Sequence, residues 1–227
     1  MRFRSIMNDS RITTMLGYDD VSWGLLMFEK DPMKQKIAAK NWTGIIENAL
    51  AAGCAAGDAW AFEHPWVSFA EWLKSGGTGI KIVFSDETQC PPLLVFSTYT
   101  HGNKQITLYS DAINRAVGAA QGRVDELAKN SVVRELLLAH EFFHYMDECH
   151  MVNFGGLNVF QYKILGWERK FTPVTYCEIA ANAFAKKVCG APFFPVILDV
   201  LLLASFDPNN IEKYYNWFRE NARPANN

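Results

Sequence analysis

The sequence has no surplus of positive charge. Its 22 lysines and arginines face 24 acidic residues, for a formal net charge of −2, and nucleic-acid binders as a class show a marked basic excess. A nucleic-acid partner is therefore not expected. Cysteine is sparse and unpatterned. The five, Cys54, Cys90, Cys149, Cys177 and Cys189, are odd in number and form no CxxC pair, which excludes a disulfide framework or a zinc ribbon and reads as thiols in a reducing compartment. Long apolar runs are also missing. The best candidate, Phe193 to Phe206 (FFPVILDVLLLASF), is too short to span a bilayer comfortably and carries Pro195 and Asp199, so it predicts a buried helix and no membrane partner. No apolar stretch follows the basic residues of the first fifteen positions, so no secretory signal is read and a cytoplasmic location is expected. Histidine is scarce as well. There are five, at 64, 101, 140, 144 and 150, and three of them lie between 140 and 150.

What is present suits a globular chain: 227 residues, 49% hydrophobic and 14% aromatic, enough to bury a core in a single domain over 1–227. Three regions are read within it: an N-terminal helical extension (1–79), a catalytic core (80–190) and C-terminal helices (191–227). Residues 1–30 show no clear period. From Lys34 to Ala52 the apolar positions Ala38, Trp42, Ile45, Ile46 and Ala49 recur at helical spacing, and Gly53 is read as the stop. Ser68 predicts a cap for a short helix to Lys74, ended by Gly76-Gly77. Trp60, Trp66 and Trp72 are assigned to a helical core in preference to a partner surface. Ile80–Ser85, Leu93–Thr100 and Gln105–Ser110 are rich in β-branched and aromatic residues, and the last two, joined by His101-Gly102-Asn103-Lys104, predict a β-hairpin. Helices are predicted at 131–148, 174–189, 194–205 and 210–221. This order of helices, a small antiparallel sheet and helices again defines an α+β fold.

The chemistry gathers at His140-Glu141-Phe142-Phe143-His144 in the 131–148 helix. Residues four apart share a helix face, so the two imidazoles can reach one tetrahedral Zn²⁺, and Glu141 stands beside them to accept a proton from water at the metal. Random placement of residues at this composition would give about 0.006 such matches in the chain. A catalytic zinc needs a third protein ligand and an open position. Two residues compete for that place. His150 completes the metzincin spacing HExxHxxGxxH, with Asp147 where the motif has glycine, but no methionine follows Met151 to form a metzincin turn. Glu178, in CEIAANAFA, lies on the next strongly periodic helix and would complete a His₂Glu set. Asn182, four residues on, is placed to hydrogen-bond a ligating imidazole or the Glu178 carboxylate. The alanines 180, 181, 183 and 185 would let that helix approach the HEFFH helix closely.

The strand Gln105–Ser110, His140–His144 and the run Glu178-Ile-Ala-Ala-Asn182-Ala-Phe184-Ala185 together resemble the ImmA/IrrE family of gluzincin-type zinc metallopeptidases. The second motif matches in register at Glu178, Ala181, Asn182, Phe184 and Ala185. The resemblance covers about residues 80–190. It implies a zincin-like fold, His140, His144 and Glu178 as ligands of a Zn²⁺ cofactor, Glu141 as general base, and intracellular cleavage of a repressor or other regulatory protein. Phe142 and Phe143 depart from it, since family members often have a small residue inside HExxH, and no helix-turn-helix is found. A protein or peptide substrate is expected to add as a strand to the sheet edge, with Gln105–Ser110 as the candidate edge. The sequence does not choose an oxyanion donor among His101, Tyr145, His150, Tyr162 and Tyr176. The rival readings are a zincin-fold binding module without catalysis, a structural zinc closed by a fourth protein ligand, and a metzincin-type site using His150.

Overall fold

The computed structural model describes residues 9–65, 67–76, 78–152 and 173–222 in full, and 160–164 and 167–171 by backbone. Among the described residues nine helices and a small three-stranded mixed sheet pack together, with a separate two-stranded hairpin. The α+β reading stands. In chain order the elements are α1 (Ser10–Leu16), α2 (Asp20–Phe28), α3 (Trp42–Glu63), α4 (Phe69–Lys74), β1 (Lys81–Ser85), β2 (Ser97–Thr100), β3 (Gln105–Tyr109), α5 (Ser110–Ala120), α6 (Asn130–Glu148), β4 (Phe160–Ile164), β5 (Trp167–Phe171), α7 (Val174–Cys189), α8 (Ile197–Phe206) and α9 (Asn209–Asn221). None of the helices is long and apolar enough to cross a membrane. The Phe193–Phe206 run is buried along most of its length, as its apolar composition predicts.

The sheet corrects the sequence reading in two ways. It is mixed, because the strand order is β1-β3-β2, with β1 parallel to β3 (Lys81↔Gln105) and β2 antiparallel to it (Thr100↔Gln105). Residues 86–96 carry the chain past β3, so the hairpin strand β2 takes the far side and leaves β3 in the centre. Gln105–Ser110 is therefore not an edge. Its alternation reflects burial of Ile106 and Leu108, and among the described residues the free edges belong to β1 and β2.

Gly53 is not a helix stop either. α3 runs through it to Glu63, and the glycine serves proximity: a Cβ at Gly53 would lie 2.1 Å from the Ala180 carbonyl oxygen and 2.9 Å from Ala183 Cβ. The alanines of α7 thus bring it hard against α3 as well as against α6, and α3–α7 is the most extensive helix pairing. The start of that segment differs from expectation too, since Lys34–Lys36 and Ala39–Asn41 are short 3₁₀ turns before α3. Ser68 caps α4 as predicted, its Oγ accepting from Glu71 N–H at 3.3 Å and donating to the Glu71 carboxylate at 2.8 Å.

α6 divides its faces sharply. Leu138, Ala139, Phe142 and Phe143 go into the core, where Phe142 meets Trp72 at 5.0 Å, Phe69 at 5.4 Å and Phe184 at 6.2 Å between ring centroids. The bulky interior of HEFFH is thus matched by aromatics of α4 and α7. Trp60 is buried and Trp72 packs against the same core, as expected, while Trp66 lies outside the described residues.

Candidate metal centre

The opposite face of α6 presents His140, Glu141 and His144 beneath β2, and α7 brings Glu178 to them from the side. His140 Nε2 stands 3.2 Å from Glu178 Oε2 and 3.2 Å from His144 Nε2, and His144 Nε2 stands 3.5 Å from Glu178 Oε1. Zinc bonds of 2.0–2.1 Å in a tetrahedron place neighbouring donors about 3.3 Å apart. The side chains are therefore set at the spacing one such ion requires, and these three form a group able to hold a metal. Two imidazoles supplied four residues apart by one helix, with a carboxylate from another, are the donor chemistry zinc takes in hydrolytic sites.

His150 does not join them. α6 continues through Asp147 to Glu148, so the left-handed residue is His150 itself (φ 55°), exposed past the helix end with its N–H on the Asp147 carbonyl. Cys177 is nearby but on the wrong side: its Sγ is 3.7 Å from His144 Nδ1, the nitrogen facing away from the triad, and 3.6 Å from Asp147 Oδ2. Burial pushes the Cys177 thiol up, and the Asp147 charge adds to this. It stays a thiol, packed against the ring it helps to orient. Among the described residues no fourth donor closes the shell.

Glu141 is 5% exposed, and Ser97 Oγ on β2 donates to its Oε1 at 2.7 Å. A buried carboxylate is costly unless hydrogen-bonded, so this bond holds Glu141 in place beside the donors. Ser97 was not legible as a site residue, being one polar position in a β-rich run. Asn182 corrects an expectation. Its Nδ2 donates to the Glu178 main-chain oxygen at 2.8 Å, an i−4 bond along its own helix, and the amide reaches neither the imidazoles nor the Glu178 carboxylate.

A cleft of about 390 Å³ opens over the triad between β2 and α6. Of the four oxyanion candidates whose side chains are described, only His101 lines it, with Nδ1 3.5 Å from Glu148 Oε2. Tyr99 lines it too, its hydroxyl donating to the Glu148 carboxylate. Tyr176 is buried and His150 exposed elsewhere. The side chain of Tyr162 lies outside the described residues.

Charge within the triad is shared unevenly. Burial works against an imidazolium at His140, but the hydrogen bond and charge of Glu178 outweigh it and raise His140 to about 9. Burial likewise opposes the Glu178 carboxylate, and His140 and His144 hold it down at about 2. Burial and the His140 charge lower His144. A group raised above its unfolded value of about 6.5 stabilises the fold fully below that pH and loses the contribution as pH rises through the folded value. The metal-free protein should therefore lose thermal stability between pH 6.5 and 9. Below pH 6.5 the lowered His144 acts in the opposite sense. Zinc affinity should rise across the same window, because binding must expel the His140 proton. Calorimetry at several pH values, with proton release measured on zinc addition, checks both; a flat profile from 6.5 to 9 would contradict the assigned proton.

Compared with protein-family models, curated proteins and solved structures, the chain matches none.

Proposed function

We propose that the protein is a zinc-dependent metallopeptidase with a gluzincin-type site, cleaving a peptide bond in a protein or peptide substrate. The observation that carries this reading is the donor spacing at His140, His144 and Glu178 with buried Glu141 alongside. The ImmA/IrrE resemblance of HEFFH and EIAANAFA supports it, as does an α6 helix lying under a small sheet in the zincin manner. When bound, the ion supplies Lewis acidity to the scissile carbonyl and to water.

The residues of the chain do the rest. His140, His144 and Glu178 hold the ion, and Cys177 and Asp147 keep the His144 ring in orientation. Glu141, fixed by Ser97, accepts the proton of the attacking water and delivers it to the leaving amine. β2 offers a free edge along the cleft, to which an extended peptide adds as a strand, giving backbone hydrogen bonds that tolerate varied sequence. His101, which lines the cleft beside Glu148, is the candidate donor to the developing oxyanion. A regulatory protein is the substrate class that the resemblance suggests.

The test is metal content and turnover together. The purified protein should carry one zinc per chain, lose peptide-library cleavage on chelation and recover it when zinc is restored. Stoichiometric zinc without any cleavage would favour a binding module.

A further inference from the structure

Beside the cleft lies a second cavity, of about 210 Å³, and the two share Val95, Ser97, His140, Glu141 and Glu178 as a common wall. The cavity thus opens at the donor triad and extends away from it toward α8. Its volume is below the roughly 300 Å³ at which pockets begin to hold whole small molecules, and suits one side chain. Because the reacting bond must sit at the triad, a side chain in this cavity belongs to a residue adjoining that bond.

The lining is divided by chemistry. Met27, Leu94, Leu136, Leu137, Pro195 and Leu198 give apolar walls, and Asp199 in the first turn of α8 supplies a carboxylate. Asp199 is exposed, between buried Leu198 and Val200, and lines the cavity. No lysine, arginine or histidine lies within ion-pair distance of it among the described residues. The other acids on the cavity wall are engaged, Glu141 with Ser97 and Glu178 with the histidines. Among the described residues Asp199 is left as a carboxylate without an ion-pair partner at the end of an apolar sleeve. Long basic side chains fit such a sleeve, since their methylene stems pack on apolar surface while the charged head seeks a carboxylate.

We infer that this cavity is a specificity pocket that takes a lysine or arginine side chain from the residue next to the scissile bond, with Asp199 as its charge partner. The inference rests on the metallopeptidase reading and adds the substrate class. A site built to pair a charged group rejects an analogue lacking it more strongly than an apolar pocket rejects a shorter chain.

The experiment uses the zinc-loaded protein and a library of peptides varied around a fixed core, comparing kcat/KM for lysine, arginine and the uncharged isostere norleucine at each position. The wild type should prefer the basic residues about tenfold or more at one position flanking the cut. Asp199→Asn should bring that ratio close to one while keeping stoichiometric zinc, and Asp199→Lys should reverse it in favour of glutamate. Cleavage with no basic preference, or a preference that survives Asp199→Asn, overturns the pocket assignment and leaves the peptidase reading intact. A zinc-loaded wild type that cleaves no member of the library overturns both.

Discussion

Glu141→Gln should retain one zinc per chain and lose peptide hydrolysis by about 10²- to 10⁴-fold, the contribution usual for a positioned general base. The substitution is nearly isosteric, and the amide can still take the Ser97 hydrogen bond that the carboxylate accepts at 2.7 Å. Glu141 contributes no donor to the triad, so the three separations of 3.2, 3.2 and 3.5 Å among His140, His144 and Glu178 should be unchanged. What disappears is the capacity to accept a proton. The loss should fall on kcat with little change in KM, because Glu141 acts on the attacking water and not on substrate binding. Elemental analysis beside steady-state kinetics decides the matter. Full activity in the glutamine variant would remove Glu141 from the mechanism, and loss of zinc would mean that it acts as a ligand.

The largest effect on stability is expected far from the chemistry, at Gly53→Ala. A methyl group there would meet the Ala180 carbonyl oxygen at 2.1 Å and the Ala183 Cβ at 2.9 Å. One of these partners is backbone, and α7 is held on its other side by α6, so the helices must separate. Overpacking of this kind costs about 3 kcal/mol, while the better helix propensity of alanine returns about 1 kcal/mol. The net loss of about 2 kcal/mol should lower Tm by about 4–8 °C for a chain of this size. Displacing α7 also moves Glu178 relative to His140 and His144, so zinc affinity should fall with stability. Gly44→Ala, on the same helix with nothing within 4 Å of its Cβ position, should instead stabilise by up to about 1 kcal/mol. Equal effects at the two positions would show that the α3–α7 approach is not the cause.

Gly53 also shows where sequence reasoning stops. A glycine after an amphipathic stretch reads as a terminator, because its local cost in a helix is known and its long-range use is not. Only the position of Ala180 on another helix distinguishes the two. The same limit applies to the sheet. The β-rich runs and the hairpin turn at His101–Lys104 were legible, but β1 joining β3 in parallel is a property of the crossover, which leaves no periodic mark. α5 is a different case: its buried stripe, Ala112, Ile113, Ala116, Val117 and Ala120, recurs at helical spacing opposite a polar face, a signal present in the sequence that the strand-to-helix reading passes over. α1 and α2 fell in a stretch without a clear period.

The candidate site was more legible, because ligand chemistry restricts residue type and the helix restricts spacing. His140, Glu141 and His144 were fixed by one local motif. Glu178 required a second segment and came from its own motif. Two residues that complete the picture had thin signals. Ser97 is one hydroxyl among several in its run. In the sequence Asp199 is visible only as an acid inside an apolar stretch, where it argues against a membrane span. In three dimensions that same acid stands in the cavity behind the triad.

The central claim is that His140, His144 and Glu178 hold one catalytic metal and leave a coordination position open. An anomalous difference map collected at the zinc edge from zinc-soaked crystals tests it most directly. A single peak about 2.0–2.2 Å from His140 Nε2, His144 Nε2 and a Glu178 carboxylate oxygen, with no fourth protein donor, is the expected result. No peak at the triad, or a peak ligated by His150 or closed by Cys177, would contradict it.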